Sequence, residues 1–235
     1  AAKPVEDLKQ RIKMLSAAGD KAGEFYRAFH FSLFSYISFR IPEISDEIYR
    51  VDDAMMAGFG WEIGAFESWD TVGVKETVTA MKAAGHAVAP WIDEMLASGA
   101  TTFYKVENGR RMFYDQTTKT YKAIPGGESF LVMSHHKDNT VWKNSACRLY
   151  DLGDGVAGLE WSTKMNSIGG EVLEGLNKSI AIAEEKFKGL VIGNDGPNFS
   201  AGANVGMIFM LAIEQEYDEL DMAIRMFQNT MMRVR

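Results

Sequence analysis

The sequence lacks the features of disulfide-bonded, nucleic-acid-binding and membrane-spanning proteins. Only Cys147 among its 235 residues is a cysteine, so no internal disulfide can form, and we expect a reducing compartment, the cytoplasm. Basic residues do not outnumber acidic ones, since 25 Lys and Arg face 32 Asp and Glu, and the net charge of −7 predicts no nucleic-acid partner. The longest apolar run, Met207 to Ile213, is too short to cross a bilayer, and the N-terminus lacks the charged-then-apolar order of a signal peptide. We therefore expect no membrane span.

Helical periodicity dominates the first hundred residues. The first helix is expected to begin at Pro4 and to end at Gly19. The second is expected to be capped by Asp20 and broken at Pro42, which lacks an N–H. Three more helices are predicted, near 45–57, over 74–84 and over 91–96. This pattern predicts an all-helical unit of about five helices.

From Thr101 onward the apolar period shortens to two residues, which is typical of β-strands. Asn108-Gly109 stands between two alternating runs and predicts a hairpin, because both residues tolerate positive φ. Residues 120–124 are expected to add a third strand. Residues 125–144 are predicted to be a connector between two domains. Beyond it the expected strands are 146–152, 156–162 and 188–193, with a helix over 167–185 and two helices at the end.

The final predicted helix begins near Glu216 and carries an apolar stripe at steps of three and four residues, formed by Leu220, Ile224, Phe227, Met231 and Val234. We interpret the stripe as core, because the segment is too short for a sustained coiled coil. The sequence begins with Ala rather than Met, and no helix-terminating residue follows its last predicted helix. Both ends are therefore expected to be cut from a longer polypeptide. If the remainder normally covers this helix, the fragment is expected to self-associate into a homodimer.

One literal glycine fingerprint, G-x-G-x-x-G, spans Gly153 to Gly158. A dinucleotide site requires that this pattern leaves a strand and opens a helix whose N-terminus holds the pyrophosphate. The residues that follow it, 159–162, predict a strand instead. We therefore interpret Asp154-Gly155 as a hairpin turn and expect no NAD site in this segment.

The remaining candidate residues are interpreted as structural. His135-His136 has no third ligand at metal-site spacing, so we expect a solvated loop and no metal. His30 lies on an aromatic helix face and is assigned to packing, whereas His86 follows Gly85 at a helix end and is assigned a contact with the C-terminal helix dipole. Cys147 is expected to be a small core residue.

A long spaced motif runs from Glu47 to Gly73. It contains Asp52-x-Ala54-Met55, Gly58-Phe59 and Gly64-Ala65-Phe66-Glu67-x-x-Asp70-x-x-Gly73. This pattern resembles the C-terminal helical domain of 3-hydroxyacyl-CoA dehydrogenases, and Phe103-Tyr104-Lys105 resembles the ending of that domain. The resemblance implies such a helical domain, with a terminal β-hairpin, over residues 1–124. Departures at Trp61-Glu62 and Ala65 suit a second, degenerate copy without its own active site, and NAD would bind to a domain outside this sequence.

Two later segments, Trp161–Ser167 and Phe199–Val205, resemble parts of the crotonase (enoyl-CoA hydratase) family. The resemblance implies a partial α/β, ββα-type module over 145–235. It also implies that the backbone N–H of Ala203 is one of two oxyanion donors for a thioester carbonyl. The sequence departs from the family at Ser162-Thr163 and at Asn204, where Asp is usual. The substrate-binding residues that it implies are Met165, Asn166, Ala203, Asn204 and Val205.

Together the two resemblances imply an α+β segment of a fused β-oxidation enzyme. It would join an NAD-dependent 3-hydroxyacyl-CoA dehydrogenase to an enoyl-CoA hydratase/isomerase-like module acting on acyl-CoA thioesters. Its partners would be the acyl-CoA substrate and the rest of the parent polypeptide. The segment alone is expected to be inactive as a hydratase, because the family's second amide and its glutamate acid/base lie on a later turn. The alternatives are a non-catalytic helical dimerisation and acyl-CoA-docking module, and an unrelated α/β protein.

Overall fold

The computed structural model describes residues 2, 4, 5, 7–196 and 198–235. The chain divides into two compact units, Ala1–Ser129 and Phe130–Arg235, called the helical unit and the sheet unit below. The division falls inside residues 125–144, for which the sequence predicts a connector. Part of that range is regular structure, because Thr140–Lys143 forms a strand of the sheet unit.

In the described part of the helical unit, six α-helices precede a three-stranded antiparallel sheet. These elements are α1 (Leu8–Ala17), α2 (Lys21–Glu43), α3 (Ile48–Phe59), α4 (Ala65–Val72), α5 (Val74–Ala83), α6 (Pro90–Ala97), β1 (Tyr104–Glu107), β2 (Arg110–Asp115) and β3 (Thr120–Ala123). The helix that sequence periodicity misses is α4, whose eight residues are too few to show a clear period.

The start of α1 differs from its prediction. The helix begins at Leu8 rather than Pro4, because the side chain of Asp7 accepts a hydrogen bond from the Gln10 amide at 2.6 Å and caps the first turn. Asp20 caps α2 as predicted, and α2 is interrupted at Ile41, immediately before Pro42.

The core of the helical unit is aromatic. Trp69 of α4 is completely buried and stacks on Phe34 of α2, with ring centroids 4.7 Å apart. Phe103, just before β1, packs against the same tryptophan at 5.2 Å. The predicted hairpin is confirmed, since Asn108 and Gly109 both have positive φ, 51° and 73°. Burial of these rings fixes α4 between α2 and the sheet.

The sheet unit contains a four-stranded sheet with the order β4-β5-β6-β7. Its elements are β4 (Thr140–Lys143), β5 (Cys147–Gly153), β6 (Val156–Trp161), α7 (Gly170–Lys186), β7 (Gly189–Ile192), α8 (Val205–Ile213) and α9 (Tyr217–Val234). The first three strands are antiparallel, and α7 carries the chain over to β7, which pairs with β6 in parallel. The sequence does not predict strand β4, because its four residues are held by pairing with β5 rather than by local pattern.

The last two helices are covered unequally. Phe227 and Met231 of α9 pack against the sheet-unit core, which agrees with the core interpretation of the stripe, but Ile224 and Val234 are exposed. No residue of α8 is buried among those described. Within the described residues, no helix has both the length and the apolar character needed to span a bilayer.

Candidate functional site

The candidate site lies where the two loops that follow β6 and β7 meet. Since β6 and β7 run in parallel, their carboxyl ends lie at the same sheet edge, where ligands commonly bind in α/β sheets. The loops touch through an isolated parallel bridge between Ile168 and Ala203. The Ile168 amide donates to the carbonyl of Gly202 at 2.8 Å. The structure thus brings together the two segments that the sequence singles out.

Asn166 holds the two loops in contact. Its side-chain Nδ2 donates to the carbonyl oxygens of Asp195 and Asn198, at 3.2 and 2.9 Å. Its own carbonyl accepts from Trp161 Nε1 at 3.0 Å and from the Ser200 hydroxyl at 2.7 Å. Asn166 has φ 52°, a conformation that Asn tolerates better than most residues. Four hydrogen bonds therefore converge on one residue of the predicted acyl-CoA site.

The turn that carries Ala203 has its own internal hydrogen bonds. Gly202 N donates to the Ser200 hydroxyl at 2.9 Å, and Ala201 N donates to the carbonyl of Met165 at 3.1 Å. Gly202 has φ 80°, which favours glycine. The path of the backbone up to Ala203 is therefore fixed by neighbours on both sides.

The amide of Ala203 points away from this network. In a trans peptide the C=O and the following N–H point in opposite directions, and the Gly202 carbonyl is directed at Ile168. The Ala203 N–H consequently points to the other side of the chain. No oxygen in the described part of the structure accepts a hydrogen bond from it. Ala203 itself is half-buried. Among the described residues, the Ala203 N–H is thus free to donate to a ligand.

The other predicted site residues surround this donor. Asn204 caps α8, and its Oδ1 accepts from the Met207 amide at 3.2 Å. Because α8 begins directly after Asn204, its positive end lies near the Ala203 turn and favours negative charge there. Met165 and Val205 are exposed, with 66% and 73% of their surface accessible. Their apolar side chains are available for contact with a ligand.

The sequence does not identify two residues that hold the site together, Asn194 and Ser200. Asn194 links the strand ends, since its Oδ1 accepts from Trp161 N at 2.9 Å and its Nδ2 donates to the carbonyl of Phe199 at 2.6 Å. Ser200 bridges Asn166 to Gly202. The position of Ser200 two residues before a glycine is a local turn signal that could have identified it.

Carboxylates near the site do not reach the turn. Glu160 accepts a hydrogen bond from the Tyr150 hydroxyl at 2.7 Å, and burial, together with this bond, raises the pKa of Tyr150. Glu160 and Asp195 line a small cavity of about 220 Å³ with Met133. In the part of the chain that the structure describes, neither carboxylate bonds to residues 199–205. The arrangement can stabilise developing negative charge but offers no general acid or base at the turn.

The glycine fingerprint does not form a dinucleotide site. Asp154 and Gly155 have φ values of 54° and 80° and connect β5 to β6 as a tight hairpin, as predicted. Strand β6 follows them in place of a helix N-terminus, so these residues do not fit NAD. Within the described ranges, no group of three or more His, Cys, Asp or Glu side chains could hold a metal ion.

Two other candidates, Cys147 and the pair His135-His136, belong to the sheet unit. Cys147 is buried against Gly175, and burial raises the pKa of its thiol to about 11, with further increases from Glu171 and Glu174. This confirms its core assignment. His135 and His136 lie in a 3₁₀ helix, Met133–Asn139, and are half-buried rather than in a fully solvated loop. The difference arises because the following strand β4 pairs with β5 and holds this segment against the sheet.

The chain is similar to proteins that are named as a 3-hydroxyacyl-CoA dehydrogenase and as fatty acid oxidation enzymes. No family model matches the chain. The chain is 38% identical over 237 residues to the Bacillus subtilis (strain 168) protein named "Probable 3-hydroxyacyl-CoA dehydrogenase", an alignment that covers 100% of this chain and 30% of that protein. It is 24% identical over 213 residues to the Rickettsia prowazekii (strain Madrid E) "Putative fatty acid oxidation complex trifunctional enzyme", covering 89% of this chain and 26% of that protein.

A Rickettsia felis (strain ATCC VR-1525 / URRWXCal2) protein with the same name is 22% identical over 213 residues, covering 91% of this chain and 27% of its own. The chain thus spans less than a third of the length of these curated relatives. Among solved structures, the ECH2 decarboxylase domain of CurF from Lyngbya majuscula matches with a TM-score of 0.27 and 22% identity, over 29% of this chain and 30% of that chain.

Proposed function

We propose that this chain is a segment of a fused β-oxidation enzyme that joins an NAD-dependent 3-hydroxyacyl-CoA dehydrogenase to an enoyl-CoA hydratase/isomerase-like module. The names of its relatives support the dehydrogenase and fatty-acid oxidation parts of this proposal. In it, residues 1–124 are a degenerate copy of the dehydrogenase helical domain, and residues 145–235 are the first half of a crotonase-like module. The parent would act in the cytoplasm on acyl-CoA thioesters and would bind NAD outside this segment.

The direction of the Ala203 amide carries the proposal for the sheet unit. Addition to an enoyl-CoA places negative charge on the thioester oxygen, and a fixed backbone N–H aimed at that oxygen stabilises it. The Gly202 carbonyl is already bonded to Ile168, so the Ala203 donor needs no rearrangement before it can act. The absence of large side chains at Ala201, Gly202 and Ala203 lets a thioester approach the main chain closely.

The proposal assigns separate roles to the neighbouring residues. Asn166, through its bonds to Asp195 and Asn198, holds the loop that presents the donor. Met165 and Val205 would supply apolar contact to the pantetheine or acyl portion of the ligand. Asn204 would hold the start of α8 behind the donor. Binding and charge stabilisation are thus the only steps assigned to this chain.

Calorimetric titration with acetoacetyl-CoA tests the assignment directly. The unmodified chain is expected to bind, and Ala203→Pro is expected to abolish binding because proline has no N–H to donate. Ala203→Gly keeps the amide and serves as the matched control, which is expected to retain binding. Equal binding by the unmodified chain and Ala203→Pro, with circular dichroism showing that both are folded, contradicts the proposed donor.

A second candidate, a non-catalytic helical dimerisation and acyl-CoA-docking module, is favoured by α8. Val205, Phe209 and Ile213 recur at four-residue steps on one face of this helix, and each is more than half exposed, at 73%, 63% and 58%. Sedimentation velocity separates the two functions. Docking alone predicts a dimer that Phe209→Lys dissociates, together with acyl-CoA binding that survives Ala203→Pro.

A further inference from the structure

A cavity of about 470 Å³ lies within the helical unit, between α1, α2 and the junction of α4 with α5. Its volume falls in the range of roughly 300–1,000 Å³ that is common for small-molecule sites. The residues that give it chemical character are Lys13, Arg27, His30, Phe31, Val72 and Glu76. The cavity belongs to the helical unit, whereas the proposed thioester site belongs to the sheet unit, so its occupancy does not depend on the proposed function.

His30 gives the cavity a buried polar wall. Only 6% of the residue is exposed, and its ring stacks on Phe34 with centroids 5.1 Å apart. Its Nδ1 lies 3.3 Å from the Ser16 hydroxyl. Nε2 has no hydrogen-bond partner among the described residues. Burial lowers the pKa of His30, so the ring is neutral near pH 7 and one of its nitrogens carries a proton that can be donated.

Two cations line the same cavity without a carboxylate partner. Neither Lys13 nor Arg27 forms an ion pair with any Asp or Glu in the described part of the chain. Arg27 is fixed in place, because its Nη1 donates to the carbonyls of Ser16 and Ala18 at 2.9 and 2.6 Å. Lys13 is on the exposed side of α1. The cavity therefore presents one positive charge fixed by hydrogen bonds and one exposed positive charge.

The two carboxylates in the wall do not cancel these charges by direct contact. Both oxygens of Asp70 accept from backbone amides outside the cavity, those of Phe103 and Tyr104, at 2.7 and 2.8 Å. Glu76 lies beside Gly73 in the first turn of α5, where the positive end of the helix favours its charge. A negative group entering the cavity would consequently meet cations whose charge is not yet paired.

We propose that this cavity binds an amphipathic carboxylate. The carboxylate would lie between Lys13 and Arg27 and would accept a hydrogen bond from His30 in the tautomer that carries its proton on Nε2, in which Nδ1 accepts from the Ser16 hydroxyl. The apolar portion would pack on Phe31 and Val72, which line the same space. Recognition thus requires both a negative head and an apolar body.

Histidine resonances of the full chain provide the test, because the sequence has only four histidines. Octanoate is titrated while the ring proton signals are followed by NMR, and His30→Phe identifies the His30 signal while keeping an aromatic stack on Phe34. We expect a saturable shift of His30, with His135 and His136 of the sheet unit unchanged. Acetate, which lacks the apolar body, and octan-1-ol, which lacks the charge, are expected to bind more weakly than octanoate.

Two lysine variants separate a specific site from general attraction of an anion. Lys13→Ala is expected to weaken octanoate binding by about two- to fivefold, the effect of losing one partly exposed charge contact. Lys75→Ala, on the exposed surface of α5 and outside the cavity lining, is the matched control and is expected to change nothing. Equal affinities for the two variants overturn the proposal. So does a His30 signal that does not shift, or a shift that affects all four histidines without saturation.

Discussion

The hydroxyl of Tyr104 donates a hydrogen bond of 3.0 Å to the carboxylate of Asp52. The same carboxylate accepts from the backbone amides of Phe66 and Glu67, at 2.8 and 3.0 Å, and so joins α3 to the start of α4 and to β1. Only 2% of Asp52 is exposed. Because α4 has no capping side chain of its own, Asp52 performs that task from the preceding helix.

This burial predicts a pH dependence that Asp52→Asn removes. Burial raises the pKa of Asp52 to about 6, above its ordinary value of 3.8, although its hydrogen bonds act in the opposite direction. Between these two pH values the folded chain retains a proton that the unfolded chain has lost, so the free energy of unfolding falls as pH rises. We expect the unmodified chain to lose about 1–3 kcal/mol relative to Asp52→Asn between pH 4 and pH 7.5.

Urea denaturation of both proteins at several pH values measures this difference. Asp53→Asn alters the exposed neighbour of Asp52 and leaves Asp52 in place. This control is therefore expected to lose stability with rising pH as the unmodified chain does. If the unmodified chain instead gains stability relative to Asp52→Asn as pH rises, the three hydrogen bonds outweigh burial and the pKa of Asp52 is lowered rather than raised.

Gly64 is required by the same carboxylate. A Cβ at this position would overlap the side chain of Asp52 and displace it from the α4 amides. We expect Gly64→Ala to lower the free energy of unfolding by about 2–4 kcal/mol, from overpacking combined with loss of buried hydrogen bonds.

Gly58 provides the comparison, because a Cβ there meets no atom within 4 Å. It lies inside α3, so Gly58→Ala is expected to stabilise the protein by about 0.5–1 kcal/mol. Both changes can be measured by thermal and urea unfolding. Similar effects for the two alanines would show that Gly64 is not constrained by Asp52.

The sequence predicts those structural elements that are determined by residues close together in the chain. The hairpin at Asn108-Gly109 and the cap at Asp20 depend on residues within a few positions, and both are found. Helix α4 and strand β4 escape prediction because they are short and are held by distant partners. Asp52 lies 14 residues before Phe66 in the sequence, and β4 exists through its pairing with β5.

In the candidate site, too, the sequence predicts the local feature and not the contacts between residues that are distant in sequence. The Ala203 turn could be identified because its small residues follow an apolar strand. The bond from Asn166 Nδ2 to the Asn198 carbonyl spans 32 positions, and the bond from Trp161 N to Asn194 spans 33. No period or local motif encodes such pairs. The parallel pairing of β6 with β7 places these loops side by side.

Because the side-chain amide of Asn166 holds the two loops in contact, its replacement by a carboxylate is expected to destabilise them. In Asn166→Asp, an acceptor replaces the Nδ2 donor and faces the carbonyls of Asp195 and Asn198. Because Asp tolerates the positive φ of this position nearly as well as Asn, the backbone conformation is preserved and only the hydrogen bonds change. We expect a loss of about 1–3 kcal/mol in stability and weaker binding of acetoacetyl-CoA.

Asn108→Asp is the matched control for that measurement. Asn108 also has positive φ, 51°, but it is exposed and lies in the hairpin of the helical unit. Its replacement is expected to change stability by less than about 0.5 kcal/mol. If Asn166→Asp is equally harmless in urea unfolding, the loop is not held by the Asn166 amide.

Hydratase activity is the remaining prediction. The structure supplies the Ala203 N–H as a free donor, and the nearby carboxylates Glu160 and Asp195 do not bond to the turn in the described residues. Removal of one oxyanion donor from a complete site costs about 10²–10³ in rate, and absence of a general acid or base adds to that loss. We therefore expect this chain to hydrate crotonyl-CoA no faster than a protein-free blank, measured by the loss of enoyl absorbance.

Any rate above the blank is compared with the rates of Ala203→Pro and Glu160→Gln. Turnover that disappears in Ala203→Pro would show that one donor suffices, and turnover that disappears in Glu160→Gln would identify the acid or base that we do not assign.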